Sequence, residues 1–393
     1  MKQKIKLIQV STTPEAFIYF AQGQLKYLVS KGFDLTIVCP DSLELREIVF
    51  REGVDFIPIS MNRDISLMKD VQSFFRLLYI FLMKRPDIVH GSTPKAGLLS
   101  MVAARVAFIS RRLYFLRGLR FKGCSGLKWF VVKMTEFIAC KCSSQVIATS
   151  KSVMAEAIKS GIIKRERVKV LHYGTGNGID CKRFHPKLRN SIDASILRNE
   201  LQIENEATVI MFLGRVVREK GIVELLNAWK IIKDRIGNVK LLIVGPLEEE
   251  FPLDNDTVRL LHSDEDIITT GRVKNPQLYY AIADIFVLPS HREGIPIAAL
   301  EASAMELPVV VTNITGSVDA VIDGVTGTIV ELFDSYSMIK AIDMYISDPL
   351  LRKTHGKAGR SLVLERYSPE IIWEKLYLEY LRLCGLERET FEN

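Results

Sequence analysis

Residues Arg292–Val311 read REGIPIAALEASAMELPVVV, and this stretch decides the fold. From Gly294 to Met305 nearly every residue is small or apolar, which predicts a buried helix. The runs DIFVLPS (284–290) before it and LPVVVTN (307–313) after it read as short buried strands. Strand, buried helix and strand in this order form the unit of a parallel sheet. Two carboxylates interrupt the apolar pattern, Glu293 just before the helix and Glu301 inside it, eight positions apart. Pro296 suits the first turn of a helix, which leaves Glu293 in the loop at the helix mouth. An unpaired carboxylate in a core is expensive, so Glu301 needs a partner. The partner is either a nearby Arg or Lys, or the two hydroxyls of a vicinal diol such as a ribose. In the second case Glu293, with the backbone N–H groups of Gly294 and Ile295, holds further sugar hydroxyls.

The same alternation runs outward in both directions. Before the quoted stretch, TVIMFLG (208–214), VKLLIVG (239–245) and DIITTGRV (266–273) read as strands, and GIVELLNAWKIIKDRIG (221–237) as a helix closed by Gly237. An earlier series starts with KIKLIQV (4–10) as a strand, STTPEAFIYF (11–20) as a loop and AQGQLKYLVSKG (21–32) as a helix with Gly32 as its C-cap. It continues through DLTIVCP (34–40), VDFIPIS (54–60), PDIVHGS (86–92), RRLYFLRG (111–118), SQVIATS (144–150) and RVKVLHYG (167–174), with helical patterns between them. The two series meet near HYGTGNGIDCKRFHP, and 393 residues favour two domains over one. The expected fold is α/β, with two Rossmann-like, doubly wound parallel sheets facing each other across a cleft. The expected bounds are 1–178, 179–366 and a final amphipathic helix in 367–393, where Ile371, Ile372, Leu376, Tyr377 and Tyr380 recur at helical spacing. Ligands of such sheets bind beyond the C-terminal strand ends.

One strand end of the second series is unusual. In FLGRVVREKGIVELL a strand ends at Gly214 and a helix starts near Gly221, with Arg215, Arg218 and Lys220 between them. Cations at a helix N-terminus oppose its dipole. They are either solvated surface charge or partners of an anion held by the helix N–H groups. From a tight loop, Arg215 and Lys220 can both reach one diphosphate. Diphosphate, ribose and sugar together describe a nucleotide-sugar.

Composition narrows the class. Apolar residues make up 48% and charged residues 25%, as in a folded soluble protein. No uncharged apolar run reaches 18 residues, so no transmembrane helix is expected, and the first residues do not form a signal peptide. The six cysteines form no C-x-x-C pair and no metal spacing, which reads as reduced thiols in a cytosolic protein. Charge is uneven: residues 1–175 hold 28 Lys+Arg and 13 Asp+Glu, and residues 176–393 hold 25 and 33. Residues 105–141 carry nine cations against one acid, Glu136, interleaved with Phe108, Tyr114, Phe115, Phe121, Trp129, Phe130 and Phe137. Such a surface is either a solvated basic face or a site for anionic lipid headgroups or nucleic acid.

Taken together, these residues resemble the family-4 glycosyltransferases of the GT-B fold over essentially the whole chain. The resemblance rests on the E-x7-E pair Glu293 and Glu301, and on the GR…KG element of Gly214-Arg215 and Lys220-Gly221. It also rests on NGID…RF at Asn177–Asp180 and Phe184, on VIDGVTGTIV at 321–330, and on the final helix. It implies retaining, metal-independent transfer from a nucleoside-diphosphate sugar, with UDP as the expected nucleotide. Arg215 and Lys220 would stabilise the leaving diphosphate, a role that preorganised cations perform well. Glu301 would bind ribose, Glu293 the donor sugar, and the backbone around Arg272 and Val273 the base. The final helix would cross back to the N-terminal domain. Two features depart from the family pattern. The first loop is not glycine-rich, and the family's H-x-H reads His90 and Ser92, so the resemblance does not carry over the sugar contact that the second His makes in relatives. His90 is then either a ligand contact or a structural hydrogen-bonding residue. Lys95 and Gly97 precede a helix where an acceptor phosphate could dock.

Several patterns are decoys. GTGNGI (174–179) has Ile179 where a dinucleotide fingerprint needs its third glycine. DND (254–256) lies in the acidic stretch EEEFPLDND and reads as a solvated loop, not a metal site. The competing functions are a GT-B-fold sugar-nucleotide epimerase or phosphorylase, and a non-catalytic sugar-nucleotide binding module. No acid–base pair or pyridoxal lysine supports the former, and the intact Arg215, Lys220, Glu293 and Glu301 set argues against the latter. The basic first half fits a lipid-linked or glycan acceptor at an anionic membrane rather than nucleic acid. The expected location is cytoplasmic, peripheral at the inner face of the cytoplasmic membrane, in assembly of a bacterial surface glycan.

Overall fold

The computed structural model describes residues 4–386 apart from 20, 62–65, 249 and 251. It divides into two compact units, Met1–Gly178 with Pro369–Asn393, and Ile179–Ser368. In the first unit seven strands form one sheet. They are β1 (Ile5–Val10), β2 (Phe33–Cys39), β3 (Asp55–Pro58), β4 (Ile88–Ser92), β5 (Arg111–Leu116), β6 (Gln145–Ala148) and β7 (Val168–Val170). Their order is β3-β2-β1-β4-β5-β6-β7, and all pairings are parallel. Side chains alternate across the sheet as the strand period requires. Ile8 and Val10 pack with Val38, Val89 and Tyr114 on one face, under helices Leu67–Lys84, Pro94–Val106, Gly126–Cys142 and Lys151–Lys159. Leu7, Leu35 and Ile37 pack on the other, under Gln24–Ser30, Leu43–Glu52 and Pro369–Leu383.

The second unit repeats the plan. Its strands are β8 (Thr208–Leu213), β9 (Val239–Val244), β10 (Ile267–Thr269), β11 (Ile285–Leu288), β12 (Val309–Thr312) and β13 (Gly327–Val330). They lie parallel in the order β10-β9-β8-β11-β12-β13. In both sheets the strand order reverses once, between β1 and β4 and between β8 and β11. Loops leaving the C-terminal ends of those two strands diverge to opposite faces, which opens a crevice at each switch point. The sequence places GRVVREK after β8 and SHREG after β11, so both face one crevice.

Some local expectations need correction. The loop at 11–20 contains a short helix, Glu15–Ile18. The helix within Arg292–Val311 spans Ile297–Ala304, and Pro296 stands before it in an extended conformation (φ −77°, ψ 95°). The ring of Pro296 still fixes the entry, and its carbonyl accepts from the N–H groups of Ala299 and Leu300. Asp254 of the DND stretch caps helix Asn255–Ser263: its Oδ1 accepts from Thr257 N–H at 2.9 Å. The second unit runs to Ser368. Tyr367 holds it there, buried, with its hydroxyl donating to the Asp319 carbonyl at 2.8 Å and its own carbonyl accepting from Ile179 N–H at 2.7 Å.

Candidate active site

At the second switch point the loops after β8 and β11 are stitched together by ion pairs. Gly221 ends the turn Arg218–Lys220 with φ 74°, and a Cβ there would lie 2.0 Å from the Pro289 carbonyl oxygen. Only glycine allows that approach, and it brings the two loops into register. Lys220 Nζ then donates to Glu293 Oε1 at 2.5 Å, with both side chains mostly buried. Alongside, Arg292 Nε donates to Glu219 Oε1 at 2.6 Å, and His291 N–H donates to the Glu219 carbonyl at 2.9 Å. Adjacent residues thus form two pairs of opposite sense, Lys220 to Glu293 and Glu219 to Arg292. Gly316, at the end of the loop after β12, presses on the same segment. A Cβ there would lie 2.6 Å from the Gly294 carbonyl oxygen. Among the described residues, the buried hydroxyls of Ser290 and Ser317 have no hydrogen-bond partner.

Arg215 does not join Lys220 on Glu293. Its Nη1 pairs with Glu248 Oε2 at 2.8 Å. Gly214 sits at the crowded end of β8: a Cβ on Gly245 would lie 1.8 Å from its carbonyl oxygen, and Gly245 N–H donates to the Gly271 carbonyl at 3.0 Å. Bare backbone therefore lines the ends of β8, β9 and β10. Arg272, which is exposed, and Val273, which is half-buried, follow directly.

Glu301 lies on helix Ile297–Ala304, and its partner among the described residues is neither Arg nor Lys. The Tyr280 hydroxyl lies 3.0 Å from Glu301 Oε2 and 2.9 Å from the Ala298 carbonyl oxygen. One phenolic proton thus faces two acceptors, and a proton on Glu301 relieves the conflict. Burial raises the Glu301 carboxyl to about 7, against the lowering effects of the Tyr280 hydrogen bond and of Arg183. A carboxylate poised in this way takes hydroxyl donors readily, because each donor stabilises its charged form.

The first switch point is built differently. Tyr380, on helix Pro369–Leu383, places its hydroxyl 2.6 Å from His90 Nδ1, and Gln9 Nε2 donates to the same hydroxyl at 3.2 Å. Burial, with a contribution from Arg117, lowers His90 to about 3, so the imidazole is neutral at physiological pH. Its Nε2 is buried and has no hydrogen-bond partner among the described residues. The Ser92 hydroxyl donates to the Val10 carbonyl at 3.4 Å. Lys95 pairs with Asp70 at 2.7 Å, so a phosphate at Lys95 has to displace that carboxylate. Removing the shared hydroxyl with Tyr380→Phe is expected to cost about 1–3 kcal/mol. It should appear as a lower urea midpoint at constant m, and an unchanged midpoint would contradict the bonding described.

Sequence reasoning singled out Arg215, Lys220, Glu293 and Glu301. It did not single out Tyr280, Glu248 or Glu219, and it read Tyr380 only as part of a helix face. Glu219 carried a signal, since an acid between two cations in a strand–helix turn needs a counterion from a neighbouring loop. Tyr280 carried none. Among the described residues, no group of three or more His, Cys, Asp or Glu is arranged to hold a metal ion.

Comparison with known proteins gives the same class. Residues 193–362 match the family model described as glycosyl transferases group 1, and residues 20–183 match glycosyltransferase family 4. The capsular polysaccharide biosynthesis glycosyltransferase CapM of Staphylococcus aureus is 37% identical over 91% of this chain and 92% of its own. The UDP-Gal:α-D-GlcNAc-diphosphoundecaprenol α-1,3-galactosyltransferase of Escherichia coli is 27% identical over 88% and 89%. A glycosyltransferase structure from Rickettsia africae ESF-5 superposes with a TM-score of 0.81 over 98% of this chain and 100% of that one, at 20% identity. The chain belongs to the family-4 glycosyltransferases. It is a nucleotide-sugar-dependent enzyme of GT-B fold class.

Proposed function

We propose that this enzyme moves a sugar from a UDP-sugar, with retention and without a metal ion, to a polyprenyl-diphosphate-linked acceptor in surface-polysaccharide assembly. The observation that carries the reading is the meeting of Lys220 and Glu293 at the β8/β11 switch point, a cation and an acceptor side by side. In the free enzyme each satisfies the other. A bound donor separates them: Lys220, with Arg215, takes the diphosphate, and Glu293, with the Gly294 and Ile295 N–H groups, takes sugar hydroxyls. Glu301 accepts the ribose hydroxyls, and the backbone from Gly271 to Val273, with Gly214 nearby, receives the base. The C1–phosphate oxygen bond breaks with its electron pair leaving on the diphosphate. The acceptor hydroxyl bonds to C1 on the same face, and its proton passes to the departing phosphate oxygen. Charge grows on that phosphate in the transition state, which is where fixed cations act most strongly.

Support for the donor and acceptor comes from the E. coli relative, whose name specifies UDP-galactose and a diphosphoundecaprenol-linked sugar. The S. aureus relative is named for capsular polysaccharide. The basic first unit suits an acceptor held at the inner face of the cytoplasmic membrane. Among the described residues no helix is long and apolar enough to cross a membrane. A thermal-shift screen with UDP-, GDP- and ADP-sugars tests the donor. A true donor at 100 times its Kd adds about 2.7 kcal/mol of stability, and the UDP-sugars are expected to give that shift. A shift with GDP- or ADP-sugars alone would overturn the UDP assignment.

A further inference from the structure

Helix Leu67–Lys84 is apolar on two opposite faces. Leu77 and Phe81 point into the core beneath it. On the other side Met68, Val71, Phe75, Tyr79 and Leu82 recur every three or four residues, and each is more than half exposed. They form one continuous outward stripe. Helix Gly126–Cys142 repeats the arrangement. It buries Glu136, Ala139 and Cys140 and exposes Leu127, Phe130, Val131, Met134, Phe137 and Ile138. Helix Pro94–Val106 packs between the two on the same sheet face and is lined with small buried residues. Beside the first stripe a groove of about 520 Å³, with Ile57, Ile59, Phe75 and Tyr79 in its walls, widens the apolar surface. Scattered exposed apolar residues are ordinary, but two parallel stripes of them mark a surface that meets another phase or partner.

Charge decides which. The two helices carry Lys69, Arg76, Lys84, Lys128, Lys133 and Lys141, and their acids are Asp70 and Glu136. Asp70 is paired with Lys95, and Glu136 is turned inward to accept from the Tyr114 hydroxyl at 2.8 Å. Lys84 is paired with Asp55 of β3 at 3.1 Å, so the other five cations make the rim. Lys133 and Lys141 stand over the rings of Trp129 and Phe137, at 4.8 and 5.7 Å. Outward, the surface is apolar with a basic rim. A second copy of the same surface would repel it. After the middle helix, Phe108 is 93% exposed at φ 58°, in a C-terminal position that favours glycine. An aromatic kept there against conformational preference belongs to the same surface chemistry.

We propose that helices Leu67–Lys84 and Gly126–Cys142 form a pair of rails that seat the first unit in the interfacial layer of an anionic phospholipid bilayer. Their apolar stripes enter the acyl boundary, and their lysines and arginines meet headgroup phosphates. The inference deepens the lipid-linked acceptor reading, yet its evidence is independent of the donor site, and so is its test. Cosedimentation would use vesicles of phosphatidylcholine alone and of phosphatidylcholine with phosphatidylglycerol. The wild type is expected to pellet with the mixed vesicles at low salt and far less with the neutral ones. Phe75→Glu with Tyr79→Glu, and Phe130→Glu with Met134→Glu, should each weaken partition about tenfold or more, and together abolish it. Nucleotide release from the donor in lipid-free solution should stay at the wild-type rate, which separates this surface from the donor site. In the wild type, brominated acyl chains should quench tryptophan emission, and Trp129→Phe should remove that quenching. Wild-type protein that ignores anionic vesicles, or rail variants that bind them unchanged, would overturn the proposal. So would variants whose only effect is to split a lipid-free dimer.

Discussion

Lys220→Ala is expected to lower kcat for sugar transfer by about 10²–10³-fold. Lys220 donates to Glu293 at 2.5 Å in the free enzyme, so its ammonium is already held at the β8/β11 switch point before donor arrives. Such preorganisation makes a cation effective against charge that develops only in the transition state. The turn supplies its own control. Arg218 lies two residues earlier in the same turn and is exposed. A solvated cation contributes little to a local field, so Arg218→Ala should change kcat by less than about threefold. Lys220→Arg keeps the charge but replaces a compact ammonium with a planar fork, and should recover only part of the loss. Steady-state transfer assays on the three variants check this. Equal losses for Lys220→Ala and Arg218→Ala would reduce the role of Lys220 to general charge.

Glu301→Gln should make the free enzyme more stable and the donor complex weaker. The folded-state pKa of Glu301 is about 7 against an ordinary 4.5, because burial disfavours the charge. Between those two values the folded protein binds more protons than the unfolded chain, so stability falls as pH rises through that window. Above it the full penalty applies, and below it the penalty vanishes. Partial exposure lets water screen the carboxylate, which holds the penalty to about 1–2 kcal/mol. The Gln variant should therefore exceed wild type by that amount near about pH 8.5 and converge with it near about pH 4.5. Binding runs the other way. In the proposed donor complex two ribose hydroxyls would stabilise the carboxylate, so UDP affinity of the wild type should rise with pH through about 7. An amide accepts at one oxygen only, and the variant should bind UDP about 10–100-fold more weakly, with a flat pH profile. Denaturation and calorimetric titration at several pH values read both effects. A Gln variant that is less stable at alkaline pH, or that binds UDP as well as wild type, would remove Glu301 from the donor site.

Much of this was legible in the sequence because parallel α/β folds write their plan plainly. Strands buried on both faces are continuous runs such as VIMFL and IFVL, and glycines mark the ends where backbones approach, as at Gly214 and Gly221. The charged site residues stood out because charge beside such runs needs a reason. Their pairing was not legible. That Lys220 holds Glu293 while Arg215 turns to Glu248 depends on which loops the strand order brings together, and β11 is far from β8 in the chain. Tyr280 was hidden for the same reason: a tyrosine in NPQLYYAIA looks like any core residue until helix Ile297–Ala304 is laid beside it. Helices Ser335–Ser347 and Pro349–Arg366 went unread although Asp334, and Asp348 with Pro349, mark their starts as caps. The basic, aromatic segment at 105–141 pointed to a surface, but exposure shows that a second helix, Leu67–Lys84, shares it. A helix apolar on both faces reads in sequence as merely buried.

The central claim is that Lys220 and Glu293 act together on a nucleotide-sugar donor. Nucleotide release from a UDP-sugar, measured side by side in wild type, Glu293→Ala and Lys220→Ala, tests it most directly. Release by the wild type is expected, with a loss of about 10²-fold or more in each variant and a double variant little worse than either single one because the two act as a unit. Equal release by all three proteins would contradict it.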